Sequence, residues 1–332
     1  MTAVPNAALL EVENLRTSFA VGSHRVEAVR GVSFSIAAGE VFGLIGESGS
    51  GKTVTGLSLL RLLPPHATVA ADAMRFRGDE LGGLSDGAFR ALQGVQLAMI
   101  FQDPVGSFNP AKTVAWHLQH AILRRRACSG PASGSAGGDW AEEAAQDLRN
   151  VGIRAPERVL ASYPHQLSGG MLQRALIAMV IALRPALIIA DEPTTNLDNL
   201  VERQILELIR AQQKKLGASV LYVTHDLAVA GEICDRIAVM YAGQIVEMGP
   251  ARDVLERPRH PYAQGLLKTS ASLERRDEYL YELQGEPGGR ADVAGCAFAA
   301  RCPHVMARCR TTPPRLVEVG AGHVSRCLLH EQ

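Results

Sequence analysis

Short apolar runs alternate with turns at the start of the chain. The pattern predicts three strands there, Leu9–Leu15, Ala28–Ile36 and Glu40–Gly46. The run Val41-Phe42-Gly43-Leu44-Ile45 has no polar residue and reads as a buried strand. Val54–Leu63 follows as a helix, closed by Pro64-Pro65. Gln96–Phe101 reads as a further strand that leads into Gln102-Asp103-Pro104. Then the texture changes. Residues 113–183 lack strand signals, and Val114, Leu118, Ala121 and Ile122 recur at helical spacing. Inside this stretch, Cys128–Gly138 is rich in Gly, Ser and Ala and reads as a flexible surface loop. Ala186–Asp191 and Ser219–His225 read as strands around a helix, Leu200–Leu216, which is a strand–helix–strand unit of a parallel sheet. Ile237–Tyr241 and Gln244–Met248 form a hairpin pattern around Ala242-Gly243. From about residue 258 the chain is Pro-, Arg- and Cys-rich with a weak core signal, so a boundary is expected near 250–260. No internal repeat is visible.

Composition narrows the class. A chain of 332 residues with 47% apolar residues can build one large domain and a smaller one. Its formal net charge is zero, which suggests no affinity for nucleic acid or anionic membranes. The first ten residues have no basic start and no long apolar run, so no signal peptide is expected. The most apolar stretch, Ala175–Asp191, is broken by Arg184-Pro185 into pieces too short to span a bilayer. The chain is expected to be soluble by itself, with any membrane role requiring a partner. Of six cysteines, Cys128 and Cys234 are isolated. Cys296, Cys302, Cys309 and Cys327 crowd the last forty residues. The missing secretion features weigh against disulfides.

The strongest chemical signal is Gly46-Glu47-Ser48-Gly49-Ser50-Gly51-Lys52-Thr53, a complete G-x-x-x-x-G-K-T phosphate loop. It lies between a buried strand and a helix start. There backbone N–H groups and the helix dipole favour an anion. Lys52 is expected to reach the β- and γ-phosphates and the Thr53 hydroxyl to hold Mg²⁺. Lys52 is also one of only five lysines in the chain.

Two more motifs follow in order. Leu187-Ile188-Ile189-Ala190-Asp191 is an apolar strand ending in an acid, at the end of the strand where parallel sheets bind ligands. Asp191 is expected to bind Mg²⁺, directly or through water. Glu192 suits a base that polarises the attacking water; a plain helix-capping acid pair is the alternative. Leu167-Ser168-Gly169-Gly170-Met171 precedes an expected helix, Leu172–Leu183, and offers a second anion site at a helix start. One nucleotide does not need two such sites, whereas two nucleotides shared between two subunits do. Taken alone, a Ser-Gly-Gly helix cap is commonplace.

With these residues in order, the sequence resembles the ATP-binding cassette family of transport ATPases. Gly46–Thr53 is similar to its Walker A motif, Ala186–Glu192 to Walker B and Leu167–Met171 to the signature motif. Gln102 is similar to the Q-loop glutamine, Asn196-Leu197-Asp198 to the D-loop and His225 to the switch histidine. Phe19 stands where the family places an aromatic that stacks on adenine; a strand-face core residue is the alternative. Four further segments resemble the dipeptide/oligopeptide permease ATP-binding subunits. These are residues 99–104, Ser107-Phe108-Asn109-Pro110, residues 163–171 and Arg259-His260-Pro261-Tyr262. Met171 is usual in that branch; Asn196 replaces a common alanine.

The resemblance implies an α/β P-loop NTPase cassette. It has a mainly parallel core sheet, an N-terminal antiparallel β subdomain and an inserted helical subdomain, about 105–183. The cassette would cover residues 1–255 and a small Cys-rich extension 256–332. It implies ATP and Mg²⁺, with Thr53, Gln102 and Asp191 at the metal and Lys52, Glu192 and His225 in catalysis. Ser168, Gly169 and Gly170 would cap ATP on an opposite subunit. The implied function is the ATPase subunit of a bacterial importer of di- or oligopeptides. Nickel or metal chelates and opine-like solutes are alternative cargoes, and a soluble cassette ATPase outside transport is the more distant rival. The implied partners are a second cassette, two transmembrane permease subunits and a periplasmic or extracellular binding protein, with no nucleic acid. The implied place is the cytoplasmic face of the bacterial inner membrane, peripherally bound.

The cysteines are spaced C-x5-C-x6-C-x17-C. No zinc knuckle of the C-x2–4-C type is present, and neither common ferredoxin spacing fits. Cluster, zinc and free thiols remain open on spacing. The resemblance implies a [4Fe–4S] cluster on Cys296, Cys302, Cys309 and Cys327, in a structural or docking role.

Overall fold

In the computed structural model of the chain, the N-terminal alternation becomes a long antiparallel ribbon. β1 (Ala8–Val21) pairs with β2 (His24–Ala37), from Ala8↔Ala37 to Val21↔His24. The ribbon buries Leu10, Val12, Leu15, Val32 and Ile36. It runs past the expected strand ends because its tip is exposed on both faces and carries no apolar alternation. The structure describes residues 8–128, 139–194, 199–275, 285 and 294–331. Of the expected loop Cys128–Gly138, Cys128 is helical and residues 129–138 lie outside the described residues, as does the Asn196-Leu197-Asp198 segment.

β3 (Val41–Ile45) is buried at every position. It feeds α1 (Lys52–Leu59), whose N-cap is Gly51 in a left-handed conformation. The helix ends before the expected Leu63, because Arg61 turns to φ +50° and donates to the Leu81 carbonyl at 2.6 Å. Three short strands complete this edge: β4 (Ala67–Ala70), β5 (Ala73–Phe76) and β6 (Asp79–Glu80). β4 and β5 pair antiparallel with β1, which gives the antiparallel subdomain.

Residues 84–220 form a compact unit of their own; residues 1–83 with 221–332 form the other. The first of these holds α2 (Asp86–Leu92), β7 (Leu97–Ile100), α3 (Val114–Cys128), α4 (Trp140–Asn150), α5 (Pro156–Ala161), α6 (Gly169–Ala182), β8 (Leu187–Asp191) and α7 (Asn199–Leu216). β7 and β8 pair parallel, from Leu97↔Leu187 to Ile100↔Ala190. Leu118, Ile122, Leu148, Leu172 and Leu176 form the apolar centre of the helices. The Glu143 carboxylate ties the bundle. It accepts from Arg125 at 2.5 Å, Arg126 at 3.0 Å and Arg184 at 3.1 Å.

β9 (Ser219–Thr224) returns the chain to the other unit, followed by α8 (Leu227–Ile233), β10 (Arg236–Tyr241), β11 (Gln244–Pro250), α9 (Ala251–Glu256) and α10 (Pro261–Arg275). Two small strands, β12 (Val317–Gly320) and β13 (His323–Ser325), come last. The strand order in this unit is β12-β13-β11-β10-β3-β9. β10 runs parallel to β3, and β13 adds antiparallel to β11 through Glu247↔Ser325 and Met248↔Val324. The segment after residue 255 therefore belongs to the same compact unit as the phosphate-loop strand. Its core signal is weak in sequence because it is made of few, scattered aromatic residues. Tyr262 and Phe298 are buried against Tyr241, with ring centroids 4.6 to 5.4 Å apart.

Candidate functional site

The turn between β3 and α1 depends on glycine. Gly49 and Gly51 take φ +78° and +103°, a region that other residues enter only with strain. A Cβ on Gly51 would meet the Ala28 carbonyl oxygen at 2.4 Å, and one on Gly46 would meet that of Met240 at 2.2 Å. The loop is thus pressed against backbone on its inner side and open on its outer side, where a Cβ on Gly49 would meet nothing within 4 Å. Lys52 is 95% buried (5% exposed), and its Nζ donates to the carbonyls of Gly46 at 2.7 Å and Glu47 at 3.0 Å. The ammonium therefore curls inside the loop, where a triphosphate would replace these carbonyls. Ser50 Oγ is buried with no hydrogen-bond partner, which suits a site that receives an acceptor oxygen. Ser48 and Thr53 are exposed.

The loop has a second set of supports. Arg301 donates to the Glu47 carboxylate through Nη1 at 2.7 Å and Nη2 at 3.0 Å. The Tyr262 hydroxyl accepts the Glu47 N–H at 2.9 Å. Hydrogen bonding to Glu47 raises the Arg301 pKa further. Burial raises that of Tyr262, so its hydroxyl stays protonated. Elsewhere in the same unit, Phe19 is half-buried on β1 with its ring 6.0 Å from His66. His225 is exposed at the end of β9.

The unit of residues 84–220 holds the acid pair. Asp191 ends β8 and is buried, at 3% exposure. Glu192 comes next with φ +43°. A non-glycine residue in this region costs of order 1–3 kcal/mol. The turn is held from behind by Gln173, buried on α6, which donates to the Pro193 carbonyl at 2.7 Å. Gln102 is exposed after β7, and its Nε2 donates to Glu192 Oε2 at 3.3 Å. Beyond Gln102, the Asn109 N–H donates to His117 Nε2 at 2.9 Å, and His117 Nδ1 pairs with the Thr113 carbonyl at 2.8 Å. This arrangement fits a neutral ring, and burial lowers the His117 pKa accordingly. Ser168 caps α6 by accepting from the Met171 N–H at 3.4 Å. The helix begins at Gly169, three residues earlier than expected, because the cap lies at Ser168 itself. Ser168 and Gly169 are exposed. Asp198 lies outside the described residues.

All six cysteines are free thiols. Burial first, then the charges of Cys327, Cys309 and Cys302, push the Cys296 thiol up to about 11. Burial also raises Cys302 and Cys327. The four thiols are thus gathered closely enough to influence one another. Yet no group of three or more His, Cys, Asp or Glu side chains among the described residues is arranged to hold a metal ion. Cys309 and Cys327 are buried, and Cys296 and Cys302 are half-buried.

The family profile described as ABC transporter matches residues 29–195. Across nearly its whole length, the chain is similar to the dipeptide transport ATP-binding protein DppD of Bacillus subtilis. The two are 41% identical over 326 residues, which is 98% of this chain and 95% of that protein. The chain belongs to the ABC transporter family. A second profile, described as the C-terminal region of oligopeptide/dipeptide transporters, matches residues 246–309. The DppD of Escherichia coli is 42% identical over 321 residues, 96% of each chain. Among solved structures, the fold is similar to the dimeric structure of MJ0796, a bacterial ABC transporter cassette. There the TM-score is 0.62 at 26% identity, covering 73% of this chain and 99% of that one. The ABC cassette fold and its ATPase activity follow from this membership. Among the described residues, no helix is long and apolar enough to cross a membrane.

Four supporting residues were invisible in the ABC motifs themselves. Arg301 and Tyr262 brace the phosphate loop, Gln173 braces the acid turn and His117 braces the chain after Gln102. Their only sequence signal was proximity to a motif, as for Tyr262 in Arg259-His260-Pro261-Tyr262.

Proposed function

We propose that this chain is the ATP-hydrolysing subunit of a bacterial importer of dipeptides or oligopeptides. One observation carries the reading. Two buried strands each end in a left-handed turn, one a glycine loop around Lys52, the other the pair Asp191-Glu192. Phosphoryl transfer needs charge stabilisation and an oriented water more than covalent chemistry. On this reading, Gly46, Glu47, Ser48, Gly49, Ser50 and Gly51 cradle the phosphates with their backbone. Lys52 releases the two loop carbonyls and pairs with the β- and γ-phosphates. Thr53, Gln102 and Asp191 would hold Mg²⁺, which would supply positive charge for the phosphate oxygens. Glu192 orients the water and accepts its proton, and its contact with Gln102 links base to nucleotide sensor. His225 donates to the γ-phosphate and Phe19 packs on the adenine. Ser168, Gly169 and Gly170 cap the nucleotide of a second cassette, with Asp198 at the junction.

The peptide cargo rests on the similarity to dipeptide transport proteins and on the C-terminal match. The proposed partners are a second, related cassette, two transmembrane permease subunits and an extracytoplasmic binding protein. The proposed place is the cytoplasmic face of the inner membrane. For the four cysteines, the proposal stays at a structural segment. A [4Fe–4S] cluster is the finer reading carried by resemblance, and iron with labile sulfide in protein purified without oxygen tests it.

The functional test is reconstitution with two permease subunits and a binding protein from the same organism. Dipeptide-loaded binding protein is expected to stimulate ATP hydrolysis and uptake into vesicles. Stimulation by a nickel chelate and not by dipeptides would replace the cargo while keeping the ATPase role.

A further inference from the structure

Glu47 is the second residue of the phosphate loop, and its carboxylate carries the same sign of charge as an incoming triphosphate. The chain compensates from 254 residues away. Arg301 meets that carboxylate with both terminal guanidinium nitrogens, Nη1 and Nη2, and the two side chains are only 5% and 22% exposed. Planar, two-point pairing of this kind fixes geometry as well as charge. The guanidinium is itself held over the Tyr241 ring, 5.8 Å from its centroid. Its backbone N–H donates to the Phe298 carbonyl at 3.0 Å. Tyr262, fully buried, takes the Glu47 N–H. Tyr241, Tyr262 and Phe298 pack into one aromatic wall behind both contacts. The Glu47 carbonyl, in turn, accepts from Lys52 Nζ.

We infer that Arg301 and Tyr262 are positioning residues of the phosphate loop: they neutralise and anchor Glu47, so that the C-terminal segment sets the affinity for ATP. The inference rests on the reading of Gly46–Thr53 as the triphosphate site. The consequence is a chain of contacts from the C-terminal segment to Lys52. Arg301 fixes the Glu47 side chain, Tyr262 fixes its backbone, and the fixed backbone presents one of the two carbonyls that hold the ammonium. On the far side, the loop cannot retreat, because Gly46 already lies against the Met240 carbonyl. Loss of Arg301 leaves an uncompensated carboxylate on the phosphate loop itself, a like charge to the triphosphate. Arg301 also immediately precedes Cys302, so the fold of the cysteine-bearing segment determines where the guanidinium stands.

The test measures ATP affinity of the purified full-length subunit, with KM and kcat of the assembled transporter. Arg301→Gln is expected to weaken ATP binding and raise KM about tenfold while leaving kcat within about twofold. Arg301→Lys should recover part of the loss by restoring charge without the fork. Adding Glu47→Gln to Arg301→Gln should recover most of it, since the unpaired carboxylate is then gone. A simple folding defect would not be rescued that way. Tyr262→Phe keeps the ring, removes the acceptor and should weaken ATP binding severalfold. Unchanged ATP affinity in both Arg301→Gln and Tyr262→Phe would overturn the inference. So would a loss in Arg301→Gln that Glu47→Gln does not relieve. Lys52→Ala separates the two levels. If it binds ATP normally, the phosphate-loop reading fails and the inference with it. If it loses ATP while Arg301→Gln and Tyr262→Phe do not, only the inference fails.

Discussion

Two turns in this molecule begin alike and differ in what they tolerate. Each follows a five-residue strand buried at every position, β3 in one case and β8 in the other. Each then bends the backbone into the left-handed region. The first does so with glycine, at Gly49 and Gly51. The second does so with Glu192, at φ +43°. The difference follows from the chemistry each turn offers. A phosphate cradle needs backbone N–H groups and no side chain, so glycine serves it at no steric cost. On the proposed reading, the second turn serves as a proton acceptor, which needs a carboxylate, so the chain keeps a side chain where it is strained. The supports differ to match. The glycine turn is braced by backbone contact and by the Glu47 pairing with Arg301; the strained turn is braced by Gln173 on the Pro193 carbonyl.

The comparison can be broken at its ends. The largest effect is expected from Lys52→Ala, which should cut ATP affinity about a hundredfold, because the ammonium is the loop's one fixed charge for the phosphates. Equilibrium binding of a fluorescent ATP analogue checks it; affinity near wild type would leave the glycine turn a structural element. Gly51→Ala comes next. A methyl group there meets the Ala28 carbonyl at 2.4 Å at a φ of +103°, so a loss of about 2–3 kcal/mol is expected in urea unfolding. The opposite sign is expected at the other turn. Glu192→Gly should gain about 1 kcal/mol by removing strain, while abolishing hydrolysis. A destabilised Glu192→Gly would show that the left-handed bend is not where this turn stores strain. Smallest of all is Ser168→Arg. It should leave ATP affinity of the lone subunit unchanged and block only ATP-driven pairing with a partner cassette. A collapse of lone-subunit affinity would make the Ser-Gly-Gly cap act within its own chain.

The two turns were legible in sequence because each is written in consecutive residues. Gly46–Thr53 and Leu187–Glu192 carry their residue types and their flanking strands side by side. The parallel strands and the helical stretch were legible for the same reason, through continuous apolar runs and helical spacing. What escaped detection is non-local or exposed. β4 and β6 present mostly solvated residues and have no apolar alternation. β12 and β13 are short and borrow their place from β11. The end of α1 depends on Arg61 reaching Leu81, which no local pattern records. The pairing of Arg301 with Glu47 joins residues 254 apart, one of them in a tail that looked coreless. The cysteines illustrate the converse. Their spacing drew attention without deciding between cluster, zinc and free thiols, and what their fold does show, the placing of Arg301 beside Cys302, no spacing records.

The account turns on the proposal that Glu192 is the base, held in a strained turn directly after Asp191. Glu192→Gln keeps the size, the backbone and an oxygen for Gln102, and removes only the ability to take a proton. The decisive measurement is ATP binding and phosphate release by the assembled transporter carrying this change. The account predicts wild-type ATP affinity with hydrolysis reduced about a thousandfold. Near-normal phosphate release would contradict it and remove Glu192 from the base role.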